Sequence, residues 1–325
     1  MRVASRCRSN RPPVVRALFS IGTNSTRLLV LDGDARRAAE SRGTRIGTAL
    51  GATGTIDAQA RERTLAVIDE YAGIARRWGA GAVDAIATSA LRRAGDAGAF
   101  GAAVAARIGV APRVLSGDEE ATFSFLGATR SRGNDDLVAV LDVGGGSSEL
   151  ALDVPSHARR AGSVARTMSV EIGAVRLTER HPALLGARAL DETERNALDV
   201  HARADAAGVL APFGALGEVN ELLGVGGTVF TAAAMLAAGD PDGAVLTRTD
   251  RVGLIAELLS RDLDARKAMP RIRPQRADIL PAGLIVVDEA CRLLGVDALT
   301  VSEADLLLGY LTSPEFRAVP LPAKR

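Results

Sequence analysis

The sequence LFSIGTNSTRLLV occupies residues 18–30, and VLDVGGGSSELAL occupies residues 140–152. Both segments place apolar, small and apolar residues in the same order. Glycine, asparagine and serine accept positive φ or bond their own backbone, so each copy is typical of two strands joined by a tight turn. The duplication predicts two related α/β lobes that face each other across a cleft, where both turns can meet.

Length and composition support two domains, because 325 residues with 47% apolar side chains can form two buried cores. A polar, turn-rich connector at residues 131–136 separates a first domain, residues 14–133, from a second, residues 134–325. We expect the final helix to pack back on the first domain. Residues 1–13 carry four arginines and no acidic side chain. We interpret them as a disordered basic extension; an organelle presequence or a polyanion-binding arm is the alternative.

Charge and composition exclude several classes of function. Forty basic against 39 acidic residues leave a formal charge of +1, so we expect no nucleic-acid or membrane partner and only local anion selectivity. Cys7 and Cys291 fit no metal or redox spacing and indicate a reducing compartment without a disulfide. His157, His181 and His201 are too scattered for a zinc site, and we expect them on surfaces or loops. With no signal peptide and no apolar run of roughly 18 residues, we expect a cytoplasmic protein.

The segments between the hairpins alternate between helical and strand patterns, which indicates the α/β class. Strands are expected at residues 82–87 and 113–115, and helices at 57–78, 191–210 and 252–263. The first of these helices has one apolar face. Its residues, which we expect to be buried on the first sheet, are Leu65, Ile68, Ala72, Ala75 and Trp78.

Three glycine clusters can expose backbone N–H groups to the oxygens of a phosphate chain. Two are the hairpin turns, and the third precedes a helical stretch, where a helix start favours an anion. The alternatives are plain hairpin turns and a helix entry built of small residues for packing. The predicted phosphate-binding residues are Gly22, Thr23, Asn24, Ser25, Gly144, Gly145, Gly146, Ser147, Ser148, Gly226, Gly227 and Thr228.

Charged residues beside these turns could carry chemistry. Asp142 directly precedes its glycine turn, which suits a magnesium ligand, with a turn-capping aspartate as the alternative. Ser116 and Glu119 have the spacing of a capping box, which leaves Glu120 free to take a proton from an attacking water or simply to favour the helix start. Arg92 and Arg93 follow a predicted strand, where arginine can bind phosphate, and spacing alone leaves open which one does.

Five motifs occur in the order seen in the exopolyphosphatase and guanosine pentaphosphate phosphatase (Ppx/GppA) family, which the chain therefore resembles. Segments 224–228, 276–278 and 281–283 extend the resemblance to about residues 14–310, in a short, two-domain form. The motifs are SIGTNS at 20–25, ATSALR at 87–92, SGDEEA at 116–121, DVGGGSSE at 142–149 and GAVRLTE at 173–179.

The resemblance implies two duplicated actin-like ATPase (ribonuclease H-like) domains with the active site in the interdomain cleft. It implies Mg²⁺-dependent release of terminal orthophosphate from inorganic polyphosphate, or of the 5′ γ-phosphate from guanosine pentaphosphate, and a homodimer. Matched by motif, Glu120 corresponds to the general base and Arg92 to a phosphate-binding arginine. Asp142 and Glu149 correspond to the acidic groups near the metal.

Three positions depart from the family pattern and keep rival functions open. Ser20 stands where the family has an aspartate before Ile-Gly, and Asp305 and Leu307 replace a glycine and an arginine near the C-terminus. These changes could weaken catalysis or shift substrate choice. A non-catalytic polyphosphate or alarmone binder is the first alternative, and a kinase or ATPase of the same fold is the second.

Overall fold

The computed structural model describes residues 14–132, 138–152, 164, 166–216, 219–237 and 239–323. The predicted basic extension, most of the connector before the second hairpin, Cys7 and His157 lie outside these residues. None of the described helices is long and apolar enough to span a membrane.

Both duplicated segments form the predicted hairpins. In the first, β1 (Arg16–Ile21) pairs antiparallel with β2 (Ser25–Asp32), and in the second, β6 (Val138–Val143) pairs with β7 (Ser148–Leu152). The same hydrogen bond closes each turn: Gly22 N–H donates to Ser25 O at 2.9 Å, and Gly144 N–H donates to Ser147 O at 3.0 Å. The sequence duplication is therefore a structural duplication.

Each hairpin begins a sheet with the same topology. The first sheet has the order β3-β2-β1-β4-β5, and the second has β8-β7-β6-β9-β11 with β10 added at the edge. In both sheets, the first three strands of this order pair antiparallel with one another. The next two strands run parallel to the first strand of the hairpin and to each other. This repeated order is the actin-like, ribonuclease H-like α/β architecture that we expected. The remaining strands are β3 (Ala35–Gly43), β4 (Ala82–Ala87), β5 (Arg113–Val114), β8 (Arg166–Val170), β9 (Glu221–Val225), β10 (Val245–Thr247) and β11 (Ala298–Val301).

Helices cover both sheets. Before the second hairpin they are α1 (Leu50–Thr53), α2 (Ala58–Arg77), α3 (Ser89–Arg93), α4 (Ala97–Ile108) and α5 (Gly117–Ala128). After it they are α6 (Ala174–Arg180), α7 (Glu192–Leu210), α8 (Gly227–Leu236), α9 (Arg248–Leu259), α10 (Leu263–Lys267), α11 (Leu280–Leu293) and α12 (Leu306–Thr312). Short 3₁₀ turns occupy Pro182–Leu185, Ala211–Leu216 and Pro274–Arg276.

The predicted helices are present, with differences at their ends. Asp57 caps α2 by accepting from Ala60 N–H, but Trp78, expected in the core, is 46% exposed. That prediction is wrong because the helix ends at Arg77 and the chain turns away through Gly79, whose φ is +70°. The helix expected at residues 252–263 begins earlier, at Arg248, because Thr247 and Asp250 form a capping box.

Two helices join the lobes by crossing at glycines. On α5, Ala121 and Phe125 pack on the second sheet, while Phe123 packs with Tyr310 of α12 in a core shared with the first sheet. A Cβ on Gly309 of α12 would overlap the carbonyl oxygen of Phe123, so only hydrogen fits at this crossing. The crossing holds α5, which carries Glu120, between the two lobes.

Candidate functional site

The two hairpin turns touch each other across the cleft, as the duplication predicts. A Cβ on Gly145 would lie 3.2 Å from Asn24 N, and a Cβ on Gly146 would lie 2.7 Å from Thr23 Oγ1. Ser89, at the start of α3, also takes part in this contact, because its Oγ would lie 2.8 Å from a Cβ on Gly146. The absence of a side chain at Gly145 and Gly146 is what permits this close approach.

Hydrogen-bonding groups at this contact lack protein partners. Among the described residues, the N–H groups of Gly145 and Gly146 donate to no protein acceptor. In the same part of the chain, Asn24 Oδ1 and Ser89 Oγ are buried without a partner. Buried polar groups normally find partners, so this cluster is suited to a polar ligand, and the N–H groups favour an anion.

Two buried carboxylates, Glu120 and Glu149, and a half-buried one, Asp142, lie beside the turns. Asp142 on β6 and Glu149 on β7 are direct partners in the antiparallel register, so they share one face of the sheet. The helix α5 covers this face, and its Ser116–Glu119 capping box is complete, which places Glu120 in the first helical turn. Ser124 Oγ donates to Asp142 at 2.7 Å, and Ser169 Oγ donates to Glu149 at 2.8 Å.

Burial raises the pKa of all three carboxyl groups, and their mutual repulsion adds to the effect. Burial and the nearby Asp305 raise the pKa of Asp142 to about 6. Burial raises the pKa of Glu120 to about 8, although Arg92 opposes the shift, and Asp142 adds to it. The pKa of Glu149 is raised well above its ordinary value by burial, Glu120 and Asp142. A shared shift of this kind is typical of functional carboxylates.

Arg92, not Arg93, belongs to this acidic site. The Arg92 guanidinium forms an ion pair with Glu120 and donates to Leu115 O at 2.9 Å. Its second amino group lies 3.5 Å from Glu171 Oε1. Arg93 points instead to an outer pocket between the lobes. The structure thus places Arg92 beside the acidic site and Arg93 outside it, and phosphate binding by Arg92 stays a prediction.

The metal-binding capacity of the site rests on two carboxylates. Among the described residues, no group of three or more His, Cys, Asp or Glu side chains is arranged to hold a metal ion. Asp142 accepts the hydroxyl of Ser124 on Oδ2, and Glu149 accepts the hydroxyl groups of Ser169 and Ser147. Mg²⁺ commonly takes one or two protein carboxylates and completes its shell with water and substrate phosphates, so this donor set fits it.

Two predicted phosphate contacts are not supported by the side-chain positions. Ser148 Oγ donates to Ile172 O at 2.7 Å, within the core behind the turn. Thr228 packs against Gly283 of α11, where a Cβ would lie 2.6 Å from its Oγ1. The side chain of Thr228 is therefore used in packing, and an anion at the N–H groups of the start of α8 stays a prediction.

The third glycine cluster adjoins the acidic site and an arginine that the sequence reasoning missed. Gly226 has φ +87°, and a Cβ there would lie 2.7 Å from Asp142 Oδ1. The guanidinium of Arg276 packs on Gly227, with Nη2 3.5 Å from Ser25 Oγ. Burial and two neighbouring arginines lower the pKa of Arg276 to about 10. The available signal was the segment RAD at 276–278, which belonged to the resemblance without a role.

The departures from the family pattern occupy defined places. Ser20 is buried in β1 directly opposite Arg27 of β2. Asp305 caps α12 by accepting from Leu307 N–H at 3.0 Å, and its Oδ2 lies 2.6 Å from Arg27 Nη1. Leu307 is buried in the core under α12. Asp305 therefore neutralises an arginine in the lining of an interlobe cavity of about 330 Å³ that also reaches Gly226 and Arg276.

The remaining cysteine and histidines show no role in this site. Cys291 is buried in α11, and burial raises the pKa of its thiol to about 12. His181 contacts Asp205 at 3.1 Å, and His201 is exposed on α7.

Fold and site together define a two-lobed, actin-like protein in which two facing turns lie beside an acidic cluster. A family model described as the Ppx/GppA phosphatase family matches residues 36–315, and the chain belongs to this family. It is 33% identical over 323 residues to Exopolyphosphatase 2 of Mycobacterium tuberculosis (strain ATCC 25618 / H37Rv), covering 91% of this chain and 97% of that protein.

Solved structures agree with this assignment. A crystal structure described as an exopolyphosphatase-like protein is 28% identical, with a TM-score of 0.82, covering 94% of this chain and 99% of that one. The Aquifex aeolicus member of the Ppx/GppA family is 26% identical, with a TM-score of 0.72, covering 92% and 96%. Both likenesses span nearly the whole of each chain.

Proposed function

We propose that this protein is a phosphoanhydride hydrolase that releases terminal orthophosphate from inorganic polyphosphate, the 5′ γ-phosphate from guanosine pentaphosphate, or both. One observation carries the proposal: among the described residues, the N–H groups of Gly145 and Gly146 have no protein acceptor, and the turn that contains them adjoins an acidic site in which burial raises the pKa of Glu120. Relatives named exopolyphosphatase that cover over nine-tenths of the chain support the reaction class.

The turns and Arg92 position the substrate in this account. The N–H groups of Gly145 and Gly146 bind the oxygens of the terminal phosphate, and the forked donors of Arg92 bind it from the side of Glu120. In phosphoryl transfer, positioning and electrostatic stabilisation supply most of the acceleration. We therefore assign the larger share of catalysis to these contacts.

Glu120 accepts the proton of the attacking water. Burial raises its pKa to about 8, which makes it a stronger base than an ordinary glutamate. In its ionised form it also requires Arg92 nearby, because a buried carboxylate without a cation is strongly disfavoured. A general base of this kind contributes about 10²–10⁴-fold in rate.

Asp142 and Glu149 are the residues that would hold Mg²⁺. When bound, the ion would neutralise charge on the phosphate chain and help orient it. Both carboxyl groups have raised pKa values, so their ionised forms are stabilised by a cation.

A specific observation favours a second candidate, a polyphosphate or alarmone binder without turnover. Ser20 supplies no charge at the position where the family resemblance implies an aspartate. Leu307, which replaces an arginine of the family pattern, is buried in the core. The test is orthophosphate release by purified protein from inorganic polyphosphate and from guanosine pentaphosphate, each with and without Mg²⁺. Metal-dependent release supports the hydrolase. Tight binding without release, together with turnover restored by Ser20→Asp, supports the binder.

A further inference from the structure

The segment that follows β3, residues 44–47, holds the backbone of the first hairpin turn. Arg45 N–H donates to Asn24 O at 2.9 Å, and Gly47 N–H donates to Thr23 O at 3.0 Å. A Cβ on Gly47 would overlap Thr23 Cγ2, so the segment and the turn are in close contact. Thr23 and Asn24 are the residues that meet the second turn. This segment therefore fixes one side of the contact between the turns.

Arg45 has an unusual backbone conformation at this place. Its φ is +55°, in the left-handed region that a residue with a Cβ seldom adopts. Such a conformation persists only where the surrounding contacts hold it. The hydrogen bond to Asn24 is one of these contacts, and the side chain of Arg45 supplies further ones.

The Arg45 side chain crosses from the first lobe to the second. Its Nη1 lies 2.7 Å from Asp278 Oδ2, and its Nη2 donates to Asp278 Oδ1 at 2.9 Å, which is the forked pairing of a guanidinium with a carboxylate. Nη2 also lies 3.4 Å from Gln275 O. Asp278 is buried, and Arg45 is its only ion-pair partner among the described residues. A buried carboxylate requires such a cation, so this pair holds the two lobes together.

Asp278 belongs to the same short segment as Arg276, the arginine that reaches the first turn. Arg276 Nη2 lies 3.5 Å from Ser25 Oγ, and the guanidinium packs on Gly227. In the part of the chain that the structure describes, Arg276 forms no ion pair, and its Nε is buried without a hydrogen bond. The position of Arg276 therefore depends on the backbone of its own segment, which the Arg45–Asp278 pair anchors.

We propose that Arg45 is a positioning residue for hydrolysis, an inference that rests on the proposed function. Its backbone fixes the first turn, and its guanidinium fixes the segment of Arg276 across the cleft. One residue therefore sets the distance between the first turn and a cation of the other lobe. The terminal phosphate binds where the turns meet, so it is held in line for attack only while this distance is kept.

A double-mutant cycle on the full-length protein tests this role. Arg45→Asn removes the guanidinium but suits a positive φ, so the N–H bond to Asn24 is kept. Asp278→Asn removes the other charge and leaves no buried carboxylate unpaired. Each variant should lower kcat for orthophosphate release from polyphosphate about 10-fold, with a much smaller change in KM, because misplacement by about 1 Å costs up to 10²-fold. The double variant should be no slower than either single variant, because both changes remove the same contact.

Hydrogen exchange of residues 44–48 measures the coupling without substrate. In Asp278→Asn, the amides of this segment should exchange faster, because a contact that holds the left-handed backbone is lost. Arg45→Lys keeps the charge without the fork and should recover part of kcat. The matched control is Arg42→Asn near the end of β3, an exposed arginine paired with Glu70 of the same lobe at 3.0 Å, which should alter neither kcat nor exchange.

Three results overturn the proposal. One is a wild-type kcat in Arg45→Asn and Asp278→Asn, even with a lower unfolding midpoint, because the pair would then only stabilise the fold. Another is an additive effect on kcat, which would mean that the two residues act separately. The third is unchanged exchange in Asp278→Asn. Failure of the proposed function gives a different result: wild type releases no orthophosphate, while faster exchange in Asp278→Asn still shows that the pair holds the turn.

Discussion

The crossing of α5 and α12 gives a prediction that links packing to catalysis. In Gly309→Ala, the new Cβ would lie 2.8 Å from the carbonyl carbon of Phe123 and 2.9 Å from Gly127 N, inside the 3.4 Å at which ordinary van der Waals contact begins. The obstructing atoms are backbone, so the two helices must separate by more than half an ångström. Overpacking of this kind costs about 1–3 kcal/mol, and we expect the upper end of that range.

The separation also moves Glu120, the proposed general base. Glu120 and Ser124 lie on α5, so a shift of this helix disturbs the Arg92 ion pair and the hydrogen bond to Asp142. We expect a lower urea unfolding midpoint and a kcat reduced about 10-fold, since misplacement by about 1 Å costs up to 10²-fold.

A glycine in open space provides the matched control. Gly253 lies in the exposed face of α9, where a Cβ would meet nothing within 4 Å. Gly253→Ala should stabilise the protein by about 0.5–1 kcal/mol, because alanine favours the helix, and leave kcat unchanged. If Gly309→Ala unfolds at the same urea concentration as the wild-type protein, the close crossing is not a constraint and the reasoning fails.

Three further predictions concern the site itself. A pKa of Asp142 raised to about 6 stabilises the fold at low pH, and this contribution is lost as the pH rises through 6. Asp142→Asn should therefore be more stable than wild type by up to ~3 kcal/mol at pH 8, with a smaller gain at pH 5; an advantage that grows at acid pH would contradict this. Because Glu120 must be ionised to act as a base, kcat/KM should rise with pH through a midpoint near 8, whereas a flat profile from pH 6 to 9 would exclude the assignment. In Gly146→Ala, the Cβ crowds Thr23 and Ser89, so calorimetry should show tripolyphosphate binding about 10-fold weaker, and unchanged affinity would remove this turn from the site.

Local sequence patterns predicted the α/β class and the two hairpins, and the family resemblance supplied the actin-like architecture. The duplicated hairpins, the capping box at Ser116 and the capped helix after Asp57 depend on neighbours within a few residues, and all are present. Trp78 was predicted to be buried because its spacing continues the apolar face of α2. Spacing does not show where a helix ends, and α2 ends at Arg77, one residue before Trp78.

Contacts between residues that are distant in sequence could not be predicted from local patterns. Spacing did not separate Arg92 from Arg93, since the choice depends on Glu120, 28 residues away. Arg276 reaches Ser25 across 251 residues, and the segment RAD at 276–278 gave it no role. Ser148 had the correct residue type in the correct turn, but strand alternation directs its hydroxyl into the core.

The central claim is that Glu120 activates water at the contact between the turns, and one measurement tests it most directly. Orthophosphate release from polyphosphate is compared for wild type, Glu120→Gln and Glu119→Gln, with binding measured in parallel. Glutamine also serves in a capping box, so Glu119→Gln should retain turnover. Glu120→Gln should lose at least about 10²-fold in turnover while still binding the chain. Turnover equal to wild type in Glu120→Gln would contradict the account.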